Sequence, residues 1–233
     1  MQPRHEIKFR ISKLDAEALS LRLSAVMHRD SHASRRTGEY SIRSLYFDDI
    51  YDTAYHEKLD GVQDRDKYRI RIYLHPNSPI TIERKRKMGD LIQKDAVRIT
   101  ERLAKQIIAG NPSGLETLGR PLLSDVAVQM RTRLLRPAVI VEYDREPFTF
   151  PVEDVRVTID KNIRTALYRT DMFTPDLPEV KVIEDDTYVL EVKYNDYLPD
   201  FISGLIAGIP ADRCAISKYT LCRRFDDRVT DGV

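Results

Sequence analysis

The stretch "DRDKYRIRIYLH" (residues 64–75) alternates apolar and cationic side chains with a period of two. Tyr68, Ile70 and Ile72 fall on one side, and Arg69, Arg71 and Tyr73 on the other. That period belongs to a half-buried β-strand. It sends Arg69 and Arg71 to one face, roughly 7 Å apart at about 3.3 Å per residue. Two guanidiniums at that spacing repel by about 0.6 kcal/mol in water and about 2.4 kcal/mol at an effective dielectric of 20. The anion that such a face meets is the main question the chain poses.

Other strands repeat the pattern. "HEIKF" aligns Glu6 with Lys8, and "TIERKRK" aligns Glu83, Lys85 and Lys87. "YVLEVKYN" aligns Glu191 and Lys193 against Leu190, Val192 and Tyr194. "VRVTID" sets Arg156, Thr158 and Asp160 against Val155, Val157 and Ile159, and "VEYDREPF" aligns Tyr143 with Arg145. For any one strand, a solvated sheet face with weak surface ion pairs accounts for this. The set argues for more, because basic clusters mix with isolated carboxylates. The Arg69/Arg71 strand also adjoins the Lys85/Lys87 strand through a short loop, and hairpin neighbours lie about 4.8 Å apart. If the sheet closes, four cations converge on a lumen suited to a polyanion, with Arg and Lys suited to phosphate. Carboxylates in such a lumen suit Mg²⁺ or Mn²⁺ bound together with substrate phosphates.

The pattern predicts strands over 4–11, 39–48, 66–74, 79–87, 91–99, 138–150, 155–160, 163–168 and 187–195. "HPNSP" and "MGD" predict antiparallel hairpins between the strands they join. Ser12 with Asp15 predicts a capped helix over 13–27, with Leu14, Ala18, Leu21 and Ala25 on its apolar face. Further helices are expected over 100–109, 121–134 and 199–208, a short helical or irregular piece over 52–59, and a short strand or turn at "SKYTLC". No βαβ alternation or internal repeat is visible. The fold class expected is α+β, an antiparallel β tunnel barrel with flanking helices, as one domain over residues 1–233.

Composition sets limits. The net charge of +1 hides 38 basic and 37 acidic side chains, so an anion site has to come from local segregation rather than a basic coat. Two cysteines, Cys214 and Cys222, share no metal spacing, and a reduced, cytoplasmic setting is expected. The start "MQPRHEIKF" has no apolar signal core and no run approaches 18 apolar residues, so a soluble protein with no membrane span is expected. Without Trp, and with only Tyr73 and Tyr143 among the basic residues, no nucleic-acid partner is expected either. Nothing here fixes the oligomeric state or protein partners.

"YSIRSLYFDD", "KYRIRIY", "IERKRK", "VEYDREPF", "VRVTIDKNIRT", "VLEVKYN" and "SKYTLC" together resemble VTC domains in the same order, over about residues 4–225. These are the polyphosphate polymerase domains of the CYTH-like, triphosphate tunnel metalloenzyme superfamily. The resemblance implies a tunnel that binds nucleoside triphosphate, inorganic triphosphate or polyphosphate with a divalent metal. By motif, Lys8, Arg69, Arg71, Lys85, Arg145 and Lys218 are the expected catalytic lining. Lys87, Arg156, Lys193, Tyr143 and Ser217 are expected to contact substrate. Glu191 is the expected metal ligand, with Glu6 and Glu83 as supporting carboxylates. One departure stands out: the superfamily's first strand often carries Glu-x-Glu-x-Lys, and Arg4 takes the first Glu position here. That leaves fewer metal carboxylates and weakens a two-metal hydrolase reading. An inorganic triphosphatase and a binding module without turnover remain the alternatives.

Residues outside this set read as structural. His28 and His32 are expected to be exposed, His5 to face away from the charged row, and both cysteines to be inert thiols. Asp48 and Asp49 are expected to cap the strand end and the turn after it. No P-loop, Gly-x-Ser-x-Gly or zinc pattern is present.

Overall fold

The computed structural model describes residues 3–75 and 78–225. In chain order its elements are β1 (Arg4–Ser12), α1 (Lys13–Ser24), β2 (His28–Arg29), β3 (Tyr40–Asp48), α2 (Thr53–Leu59), β4 (Arg65–Tyr73), β5 (Ile80–Met88), β6 (Leu91–Ile99), α3 (Glu101–Ile108), α4 (Pro121–Thr132), β7 (Arg136–Phe150), β8 (Val155–Thr165), β9 (Val180–Lys181), β10 (Thr187–Tyr194), α5 (Asp200–Ala207), β11 (Asp212–Arg213) and α6 (Lys218–Arg223). The strands run side by side as β7-β3-β4-β5-β6-β1-β10-β8, and β8 pairs back onto β7 to close an antiparallel barrel. Closure leaves an inner face and an outer face on every strand, so the period-two pattern sorts charge inward and apolar side chains outward.

The outward apolar residues are covered by helices. Leu45, Phe47, Tyr68, Ile70 and Ile82 meet Ala104 and Ile107 of α3 and Leu122, Val126 and Met130 of α4. On the other flank Ile11, Val157, Ile159, Leu190 and Val192 meet Leu19 and Leu23 of α1 and Ile202 and Ile206 of α5. Each such side chain contributes about 1.5–3 kcal/mol through burial. Ser12 caps α1 as expected, its Oγ accepting from the Asp15 amide at 3.1 Å. Gly89, at φ +56°, makes the tight β5–β6 turn that "MGD" predicts. Residues 76 and 77 of the "HPNSP" connection lie outside the described residues.

Three details differ from the sequence reading. The buried face of α1 is Ala16, Leu19 and Leu23, whereas Leu14 and Leu21 are 75% and 76% exposed. Both stripes have helical spacing, and packing against α5 and the barrel selects the second. The strands expected at 155–160 and 163–168 are one strand, β8. Asn162 takes a left-handed φ of +51°, and the register to β7 shifts between Glu142 and Asp144, so the strand continues through a bulge. "SKYTLC" is the helix α6, its N-terminus capped by Ser217 Oγ, which accepts from the Thr220 amide at 3.4 Å. Its β-branched and aromatic residues suggest a strand, but they pack instead against inward-facing Val139, Val141 and Tyr143.

This last contact brings α6 into the lumen. Tyr219 donates its hydroxyl to Asp48, whose oxygens also accept from the amides of Asp49 and Ala54 at 2.9 Å each and from that of Tyr55 at 3.1 Å. Asp49 accepts from the amides of Tyr51 and Thr53 at 3.0 Å each. The two aspartates thus cap the strand end, start α2 and tether α6. Tyr219→Phe is expected to lower the unfolding free energy by about 1–3 kcal/mol, because it removes a buried hydrogen bond to a charged group. Urea denaturation followed by circular dichroism measures this.

Candidate functional site

The lumen holds a cavity of about 850 Å³, within the usual range for small-molecule sites. β1 and β10 pair with Lys8 opposite Glu191 and Glu6 opposite Lys193. Lys8 Nζ lies 3.3 Å from Glu6 Oε1 and 3.3 Å from Glu191 Oε1. Lys193 Nζ lies 2.8 Å from Glu191 Oε2 and 3.6 Å from Glu6 Oε2. Lys85, arriving from β5, donates to both oxygens of Glu6 at 2.7 and 2.8 Å. The two glutamates therefore converge and share Lys8 and Lys193.

A second anchor is Asp160, which is fully buried. Arg145 grips it bidentately, Nε to Oδ1 at 2.6 Å and Nη2 to Oδ2 at 2.7 Å, and also reaches Glu191 at 3.3 Å. Lys218 of α6 lies 2.5 Å from Asp160. The third anchor is Glu83, bound by Arg69 at 2.6 Å, by Lys94 at 2.7 Å and, more loosely, by Arg71 at 3.7 Å. Arg69 also donates to Tyr46 Oη at 2.8 Å. Glu83 is buried behind these cations and shares none of them with Glu6 or Glu191. Among the described residues, Lys8, Arg69, Arg71, Lys85, Lys94, Arg145, Lys193 and Lys218 share only Glu6, Glu83, Asp160 and Glu191. The lumen carries excess positive charge.

The electrostatics follow from that excess. Burial opposes ionisation of Glu191, but Lys193, Lys8, Lys218 and Arg145 outweigh it and hold the carboxyl well below the usual range. Burial and Glu191 both oppose ionisation of Glu6, yet Lys85, Lys8 and Lys193 bring it down to about 2. Burial pulls the Lys85 and Lys94 ammoniums down to about 8, against the attraction of Glu6 and Glu83. Arg71 Nε and Thr158 Oγ1 are buried with no protein partner among the described residues. Both residues line the cavity.

Among the described residues no three His, Cys, Asp or Glu side chains converge on a metal position. Glu6 and Glu191 lie near each other, each within 4.0 Å of both Lys8 and Lys193. The unpartnered Thr158 hydroxyl belongs to the residue opposite Glu191 on β8. That oxygen set fits Mg²⁺ or Mn²⁺, which bind through one or two carboxylates when waters and substrate phosphates complete the shell. Glu83 does not join the pair and acts as a counter-ion to Arg69, Arg71 and Lys94. Arg4 is paired with Asp154 at 2.8 Å.

Tyr143 and Ser217 also line the cavity, and Tyr143 lies under Lys218 with 4.7 Å from Nζ to the ring centroid. Lys87 and Arg156 line it too, but the Arg156 side chain is half exposed and lies 3.9 Å from Asp30. Sequence reasoning missed Lys94 and the anchoring role of Asp160. Lys94 stands opposite Lys85 across β5–β6, which the hairpin register shows once the turn is placed. His5 stacks on Tyr194 at 5.1 Å, and His28 and His32 are exposed, with His32 Nδ1 2.8 Å from Asp30. Cys214 and Cys222 are free thiols, the second buried.

Fold and lumen together define a closed antiparallel barrel built around a cationic tunnel. The family model of the VTC domain matches residues 3–225, and the chain belongs to that family. HpAC1 from Hippeastrum, proposed as an adenylyl cyclase and described as having a dominant triphosphatase activity, has a similar fold. Its TM-score is 0.55 at 16% identity, over 96% of each chain. PH1012 from Pyrococcus horikoshii OT3 has a TM-score of 0.50 at 12% identity, over 94% of this chain and 98% of that one. At such identities the likeness is one of fold. No curated protein matches the sequence. No helix among the described residues is long and apolar enough to cross a membrane.

A pH dependence follows. Lys85 and Lys94 are charged below about pH 8 and lose their protons above it. An anionic ligand binds the charged forms, so its affinity falls as pH rises through 8 and binding there takes up protons. Titration calorimetry with inorganic triphosphate at pH 7 and pH 9, in buffers of different ionisation enthalpy, measures both effects.

Proposed function

We propose that this protein catalyses metal-dependent phosphoryl transfer in its tunnel, moving the terminal phosphoryl group of ATP onto a growing polyphosphate chain. The observation that carries the reading is the closed lumen whose cations outnumber its buried carboxylates. Such an excess attracts an anion, and phosphate oxygens suit Arg and Lys donors.

The residues take distinct roles in this reading. Lys8, Arg69, Arg71, Lys85, Arg145 and Lys218 hold the phosphates in line and stabilise the charge that spreads over the transferring group. Asp160 fixes Arg145 through Nε and Nη2, which leaves Nη1 for substrate. Lys193, Lys87, Arg156, Ser217 and Tyr143 complete the contacts along the tunnel. Glu191 with Glu6 would hold Mn²⁺ or Mg²⁺, which would supply polarisation of the phosphoryl group and neutralisation of its charge. A terminal phosphate as nucleophile is already anionic, so this chain needs no general base. VTC family membership supports the chemistry.

Incubation with ATP and Mn²⁺, with products sized on a gel, tests the reading. Long chains are expected; orthophosphate alone would make the protein a triphosphatase. Glu191→Gln is expected to lower the rate by roughly 10²-fold or more, the scale of losing one charge-stabilising group, while triphosphate still binds. Tight triphosphate binding with no turnover in the unaltered protein would leave only a binding module.

A further inference from the structure

β4 runs along the lumen like a ruler. Arg65, Lys67, Arg69, Arg71 and Tyr73 all line the cavity, about 7 Å from one to the next. Arg69 and Arg71 share Glu83. Arg65 and Lys67 share no carboxylate. Lys87, opposite Arg65 across β4–β5, and Lys58 of α2 line the same end of the cavity. Among the described residues, none of these four has a carboxylate oxygen within 4.0 Å.

Their surroundings make this costly. Lys67 Nζ donates to Ser217 Oγ at 3.2 Å and lies 4.7 Å from the Tyr219 ring centroid. Burial depresses its pKa well below the usual lysine value, and Arg65, Lys8, Lys85 and Lys58 add repulsion. Lys58 is depressed by burial first, then by Arg65, Lys8 and Lys87. Glu57 attracts Arg65, but from beyond ion-pair distance. The rest of the lumen is ion-paired with its own carboxylates, two cations or more to each. This end is not, and like charges held together in a confined site call for an anion. About 13 Å of strand separates Arg65 from Arg69, so an anion that engages both has to be extended.

We propose that Lys58, Arg65, Lys67 and Lys87, none of them ion-paired among the described residues, form a second subsite that holds the far phosphates of a linear condensed phosphate longer than triphosphate. This rests on the phosphoryl-transfer reading and adds chain-length selection to it. The first three phosphates lie among the compensated cations, and the remainder of the chain lies along Lys67, Lys58, Lys87 and Arg65.

Calorimetric titration with tripolyphosphate and with long-chain linear polyphosphate tests this. The proteins compared are the unaltered chain, Lys58→Ala/Arg65→Ala, the buried-site variant Lys67→Met and the charge-keeping control Lys58→Arg, each checked by its unfolding midpoint. The double variant is expected to lose roughly tenfold or more in long-chain affinity, the scale of one or two charge-assisted hydrogen bonds. Its salt dependence for the long chain also flattens. Its tripolyphosphate affinity stays unchanged, and Lys58→Arg behaves as the unaltered protein. Equal losses for both ligands, or no loss for the long chain, overturn the subsite while leaving the phosphoryl-transfer reading intact. If the unaltered protein binds neither chain, that reading falls, and the subsite with it.

Discussion

Buried ion pairs inside a closed β-barrel are the constraint on which this molecule depends. Asp160, Glu83, Glu191 and Glu6 are almost wholly removed from solvent, and each is ionised only because two or more cations reach it. Removing water from one charge costs several kcal/mol, so no member of the network is tenable alone. Closure curls the sheet so that elements that are not hydrogen-bonded neighbours supply partners: Lys85 from β5 meets Glu6 from β1 across β6, and Lys218 from α6 meets Asp160 from β8. An open sheet would leave these residues to solvent, where such pairs contribute little.

The carboxylates also orient the cations before a ligand arrives. Arg145 is clamped by both oxygens of Asp160, and Arg69 is fixed between Glu83 and Tyr46. Donors held in place need little reorganisation when charge develops near them, which is the condition for electrostatic stabilisation to be effective. The carboxylates limit how much bare positive charge the empty lumen must bear, and the uncompensated cations set how much anion it attracts.

Much of this was legible in the sequence because a strand's period-two rule converts residue number directly into a face. Glu6 with Lys8, Arg69 with Arg71, and Glu191 with Lys193 all follow from parity alone, and closure then makes that face the lumen. What stayed hidden depends on contacts that parity does not encode. Lys58 lies on a helix, and its position follows from how α2 packs. Lys94 needed the exact pairing across the β5–β6 hairpin. The α1 face was ambiguous because Leu14 and Leu21 have the same spacing as Ala16, Leu19 and Leu23. The strand-like residues of α6 give no hint that they fold as a helix against the inner wall. The bulge at Asn162, likewise, is a backbone choice that joins two apparent strands into one.

The barrel's seam has a consequence for how the chain acquires its shape. β1 touches β6 through only two register positions, Arg4 with Ile92 and His5 with Leu91, and draws most of its pairing from β10. The first strand synthesised therefore waits for one of the last, with His5 opposite Tyr194. Contacts so distant in sequence are slow to form. While a nascent chain emerges, β1 presents an unpaired edge beside a row of half-neutralised charges. The arrival of β10 both seals that edge and delivers Glu191, so the molecule gains its protection from aggregation and the ion pairs between β1 and β10 in one late event.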